Sequence, residues 1–75
     1  MDNLTDFQKA QLLTLHMTGS FAYKTSSGTK VPRPAWRKMI SALLVSGAID
    51  DGCRVTPAGR AWLDANHMNI ILSVL

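Results

Sequence analysis

Leu43-Leu44-Val45-Ser46-Gly47-Ala48-Ile49-Asp50-Asp51-Gly52-Cys53-Arg54-Val55-Thr56-Pro57-Ala58-Gly59-Arg60-Ala61-Trp62-Leu63 is the stretch on which the fold turns. Gly47 follows an apolar-periodic run and is placed to cap a helix C-terminus. Ala48-Ile49 and Cys53-Arg54-Val55 flank Asp50-Asp51-Gly52, with glycine where a positive φ is needed. Two short apolar segments around such a turn predict a tight two-stranded ribbon. Thr56-Pro57 then opens a further helix, Thr as N-cap and Pro at the first helical position. Ala58, Ala61, Trp62 and Leu63 form its apolar face, and Asn66 marks its stop.

Upstream of this stretch a helix is predicted from about Pro34 to Ser46. At 100° per residue, Ala35, Trp36, Met39, Ile40, Ala42, Leu43 and Leu44 form a broad apolar arc, and Pro34, Arg37, Lys38, Ser41 and Val45 take the opposite side. One face packs, and the other presents two bases and a hydroxyl. Further back, Phe21 and Tyr23 alternate with Ala22 and Lys24, and Ser26-Ser27-Gly28 precedes Thr29-Lys30-Val31. That pattern suits a strand and loop, or a hairpin closed at Ser26 to Gly28. Thr5-Asp6-Phe7-Gln8 has the spacing of a capping box, so a first helix is expected over roughly 6–18, with Gly19 as its stop. Phe7, Ala10, Leu13 and Met17 share one face of it, and Leu12 and Leu15 another. Downstream, residues 67–75 read two ways. Met68, Ile70, Leu72 and Val74 alternate as in a strand, whereas Met68, Ile71, Leu72 and Leu75 match helical spacing. In either form this apolar tail completes the core or makes a protein contact such as a dimer seam, with Met68, Ile70, Ile71, Leu72 and Leu75 as the contact residues.

Seventy-five residues leave room for one domain spanning 1–75. With 47% hydrophobic residues the chain has enough apolar surface to fold rather than stay disordered. Cys53 is the single cysteine and has no partner within the chain for a disulfide. The first twenty residues hold Asp2, Asp6 and one base, Lys9, unlike a signal peptide, and no apolar run approaches the roughly 20 residues of a membrane span. A soluble, cytoplasmic protein is expected.

Charge is unevenly placed. Lys24, Lys30, Arg33, Arg37 and Lys38 fall in one acid-free stretch, whereas the segments before and after it each sum to −1, leaving a net +3. Each Lys or Arg set on a phosphate releases condensed counterions, so this block is a candidate footprint for nucleic acid as well as an ordinary solvated surface.

From Trp36 to Leu63, the pattern Leu43-x-x-x-Gly47-Ala48-Ile49, the turn at Gly52, and Val55-Thr56-Pro57-Ala58-Gly59-x-x-x-Leu63 resemble the second half of a winged helix-turn-helix domain. The likeness is to the recognition helix, wing and following helix of MarR-like and PadR-like bacterial regulators. It implies a small α+β domain of three or more helices with a short β-ribbon wing. It further implies that helix 34–46 is a recognition helix for double-stranded DNA, with Lys30, Arg33, Arg37, Lys38 and Ser41 at the groove and Arg54 on the wing. A homodimer of such domains would set two recognition helices about 34 Å apart on a palindrome. Residues 20–33 give no signal for the helix that precedes the recognition helix in that family. Asp50 and Asp51 also put two carboxylates at the ribbon tip, where phosphates repel them.

Other chemistry finds little support in the sequence. His16, His67, Cys53 and the aspartates show no metal-ligand spacing, and although Asp64 and His67 lie three apart, a His near a helix end commonly meets terminal carbonyls. No nucleophile elbow, phosphate-cradling glycine loop or paired-carboxylate motif is present, so neither an enzyme nor a cofactor is expected. Trp36 and Trp62 sit in apolar arcs and read as core. Phe21 and Tyr23, beside Lys24, read as a core-packing strand or as a surface that stacks on unpaired bases. The leading expectation is a small DNA-binding transcriptional regulator. The alternative is a protein-interaction module, such as an accessory subunit or a phage-type inhibitor, using the tail and the acidic tip.

Overall fold

Three helices, α1 (Asp6–Thr18), α2 (Arg33–Val45) and α3 (Pro57–Val74), make up the computed structural model of this chain, which describes residues 1, 3–24 and 27–74. α1 starts where the capping box places it. Thr5 Oγ1 accepts from the Gln8 N–H at 3.2 Å, and Gln8 Oε1 accepts from the Thr5 N–H at 3.0 Å, so two amides without helical partners are satisfied. It ends at Gly19, whose N–H donates to the Leu15 carbonyl. The buried side of α1 is Gln11, Leu12 and Leu15, whereas Phe7, Ala10 and Leu13 are half-buried and Met17 is exposed. Of the two expected faces, the one with Leu12 and Leu15 is the deeper.

α2 begins one residue before Pro34 and breaks at Gly47, whose φ of 81° lets the chain reverse so that the Ala48 N–H reaches the Leu43 carbonyl at 3.0 Å. Leu12 of α1, Met39 and Leu43 of α2, and Leu63 of α3 are the largest fully buried side chains, so each helix gives at least one to a shared core. Leu44 lies at the edge of the expected apolar arc and is exposed. α1 packs on both other helices, more extensively on α3.

α3 is docked by the phrase Thr56-Pro57-Ala58-Gly59. Thr56 Oγ1 caps the helix by accepting from the Gly59 N–H at 3.0 Å, and the same hydroxyl donates to the carbonyls of Gly47 and Ala48 at the end of α2. A Cβ on Gly59 would overlap the Ala48 carbonyl oxygen, so only glycine lets the two segments approach this closely. The helix does not stop at Asn66. Its side-chain amide donates to the Trp62 carbonyl at 2.8 Å instead of capping an end, and no Gly or Pro follows Gly59. The tail is therefore helical through Val74, and Ile70, 3% exposed, belongs to the core.

The expected α+β winged fold does not form: the domain is all-helical. Among the described residues there is no strand and no sheet, only two isolated antiparallel bridges, Lys24 with Lys30 and Ile49 with Val55. The backbone explains both failures. The Ile49–Val55 bridge is closed by the Thr56 N–H on the Ala48 carbonyl and the Asp50 N–H on the Arg54 carbonyl, but the Ala48 N–H turns back to the Leu43 carbonyl, so the pairing ends there. Around the turn, Asp50 Oδ1 accepts from the N–H groups of Gly52 and Arg54, and the positive φ falls on Cys53 rather than on Gly52. In the other segment, pairing ends at the bond from the Val31 N–H to the Tyr23 carbonyl, because Pro32 has no N–H and α2 begins at Arg33. Of the expected closing residues Ser26 to Gly28, Ser26 lies outside the described residues. Residues 19–32 separate α1 from α2 without a helix among those described, where a helix-turn-helix needs a turn of about 3–4 residues.

Candidate nucleic-acid interface

The site starts from Gln11, a polar side chain 4% exposed on the buried face of α1. Its amide nitrogen donates to the Ala22 carbonyl at 2.8 Å and its oxygen accepts from the Ala22 N–H at 2.9 Å, so both ends of the side chain are satisfied. This clamp ties Ala22, between Phe21 and Tyr23, to α1. Phe21 is buried, whereas Tyr23 is 72% exposed. The loop then returns through Val31, which is buried and donates its N–H to the Tyr23 carbonyl at 2.9 Å.

Trp36, in the first turns of α2, meets both aromatic rings. Phe21 contacts it edge to face, centroids 5.6 Å apart and planes at 84°, and Tyr23 stacks on it, centroids 5.4 Å apart and planes within 3°. Trp36 is half-buried, packed against the core rather than within it, and it supports an exposed ring. Tyr23, Lys30, Val31, Pro32, Arg33 and Trp36 line an open groove of about 460 Å³.

The expected DNA contacts Lys30, Arg33, Arg37, Lys38, Ser41 and Arg54 are all exposed, as is Lys24. Among the described residues none of these bases has a carboxylate within ion-pair distance. Arg33, Arg37 and Ser41, spaced by four, form a row along α2 with Lys38 beside it, and Lys30 and Arg33 meet at the groove. Pro32 gives α2 no side-chain cap, and the first turn holds no acid, so the positive end of the helix dipole adds to the same charge. Arg54 stands apart, in the turn that follows the other end of α2, about 20 Å away along the helix. Two contributors escape the sequence reading. Gln11 carried a signal, a polar residue four from both Phe7 and Leu15 on an apolar register, whereas the pairing of Tyr23 with Trp36 carried none.

The expected partner-contact residues divide. Met68 and Leu72 are exposed, Ile70 is buried, Ile71 is half-buried, and Leu75 lies outside the described residues. Ile71 lines a smaller groove, about 270 Å³, between α1 and α3 with Leu13, His16, Met17, Leu63, Asp64 and His67. Among the described residues no three His, Cys, Asp or Glu side chains come together to hold a metal ion, and no helix is long and apolar enough to cross a membrane. Comparison with protein-family models, with curated proteins and with solved structures finds no match to this chain.

Proposed function

We propose that this protein binds double-stranded DNA through the exposed side of α2 and the loop before it, acting in the cytoplasm as a small regulator of transcription. The observation that carries the reading is the row Arg33, Arg37 and Lys38, continued by Lys30 and Lys24, exposed and free of acid partners among the described residues. Charges left unpaired by the protein itself are the ones available to phosphates. Arg37 and Ser41, on the same exposed side of α2, have the chemistry to reach base edges, Arg to guanine O6 and N7. No winged fold is needed for this, since a basic helix face meets a duplex by its own charge.

The test is anisotropy of labelled random-sequence duplex titrated with protein at low and then moderate salt. Binding that weakens steeply with salt is expected, and each lost phosphate contact lowers the slope of log K against log salt by about 1. A double variant Arg37→Ala, Lys38→Ala that binds duplex as well as the wild type would falsify the reading.

A second reading rests on Met68 and Leu72, exposed by 58% and 66% and spaced by four on α3. Such a strip suits an apolar contact with a protein, including a second copy of this chain. A complex formed through it survives high salt, which separates it from phosphate-led binding.

A further inference from the structure

We propose that the outer face of Tyr23 is a stacking platform for one unpaired base of a DNA strand, with Lys30 and Arg33 on the phosphates beside it. This rests on the DNA-binding reading and adds to it the kind of DNA preferred, a duplex with single-stranded character next to the site.

A tyrosine residue 72% exposed contributes little to a core. Here it is nevertheless held in a defined plane. Trp36 covers one face, and the edge of Phe21 fixes Trp36 in turn. The backbone under the ring is tied on both sides, by Gln11 to Ala22 and by the Val31 N–H to the Tyr23 carbonyl. A ring fixed in advance loses little freedom on stacking, so more of the contact energy appears as affinity. Every base offers a π-face, and the groove beside the ring carries Lys30 and Arg33. Flat on one side and cationic at its rim, the site selects a planar group joined to an anion, which describes a nucleotide. In a closed duplex the bases are already stacked and paired, so the platform has nothing to accept there without unpairing.

The experiment compares a short thymidine oligonucleotide with a duplex of the same length, for the wild type and for Tyr23→Ala, Tyr23→Leu and Tyr23→Phe, each first shown to melt as the wild type does. Leucine keeps Trp36 covered without a π-face, and phenylalanine keeps the ring. We expect Ala and Leu to weaken single-strand binding by about tenfold or more, from the known worth of one base stack, with Phe near the wild type and a much smaller loss on duplex than on single strand for Ala and Leu. Equal losses on duplex and single strand, or none on either, overturn the platform while leaving duplex binding, and hence the first reading, intact. Absence of duplex binding by the wild type at low salt defeats that reading itself. Thymidine monophosphate is the last arm. Failure to displace the oligonucleotide at large excess supports a strand as the ligand, and full displacement overturns it in favour of a free nucleotide.

Discussion

Cys53 is, among the described residues, the non-glycine residue with a positive φ, 59°, and it closes the turn that Asp50 organises. A Cβ in that region costs about 1–2 kcal/mol, partly offset in a glycine variant by the freer unfolded chain, about 0.5–1 kcal/mol. Cys53→Gly should therefore leave stability equal or raised by up to about 1 kcal/mol, and the β-branched Cys53→Val should lower it. Urea midpoints at constant slope measure both, and a destabilised glycine variant would show that the Cys53 side chain contributes more than its strain costs. Gly59 gives the opposite sign. In an open helix Gly→Ala gains up to about 1 kcal/mol, but here the new methyl meets the Ala48 backbone, and overpacking of this kind costs about 1–3 kcal/mol. Gly59→Ala should lower the melting temperature, and a raised one would mean that α3 and the α2 turn separate freely.

At the scale of elements, what was local was legible. The Thr5–Gln8 box and Gly19 set both ends of α1, and Thr56-Pro57 set the start of α3, because each depends on residues within a turn of one another. What failed was decided by distant partners. The 48–55 and 20–33 segments look extended in sequence, but each pairs at a single bridge: the Ala48 N–H goes to the Leu43 carbonyl, and the return of the other segment runs into Pro32 and α2, while Gln11 holds Ala22 to α1. Gln11→Met tests the clamp, since methionine keeps the length and loses both bonds. A loss of about 1–3 kcal/mol is expected for the stranded backbone groups of Ala22. Hydrogen exchange at the Ala22 amide should quicken far more than exchange within α1, and unchanged protection there would mean that the loop is held by Phe21 and Val31 alone.

For the whole molecule, the basic block was readable as charge because an acid-free stretch has no neighbour to neutralise it, and the fold turned every one of its side chains outward. The aromatic half of the site was not readable, because Tyr23 meets Trp36 only after the loop has been pinned to α1. The same fold buries one residue of the apolar tail, Ile70, and exposes two others, Met68 and Leu72, and the two parts can be tested separately. A domain of this size has about 4–11 kcal/mol of stability in total, and truncating a buried Ile costs about 2–5 kcal/mol. Ile70→Ala should therefore remove a large share of it and lower the melting temperature at any protein concentration. Met68→Ser with Leu72→Ser removes only exposed side chains, so at low concentration it should change stability by no more than about 0.5 kcal/mol. If the strip joins two copies, that pair alone lowers the mass measured by sedimentation, and it abolishes the rise of melting temperature with concentration. A double variant as unstable as Ile70→Ala would place Met68 and Leu72 in the core and end the case for a contact strip.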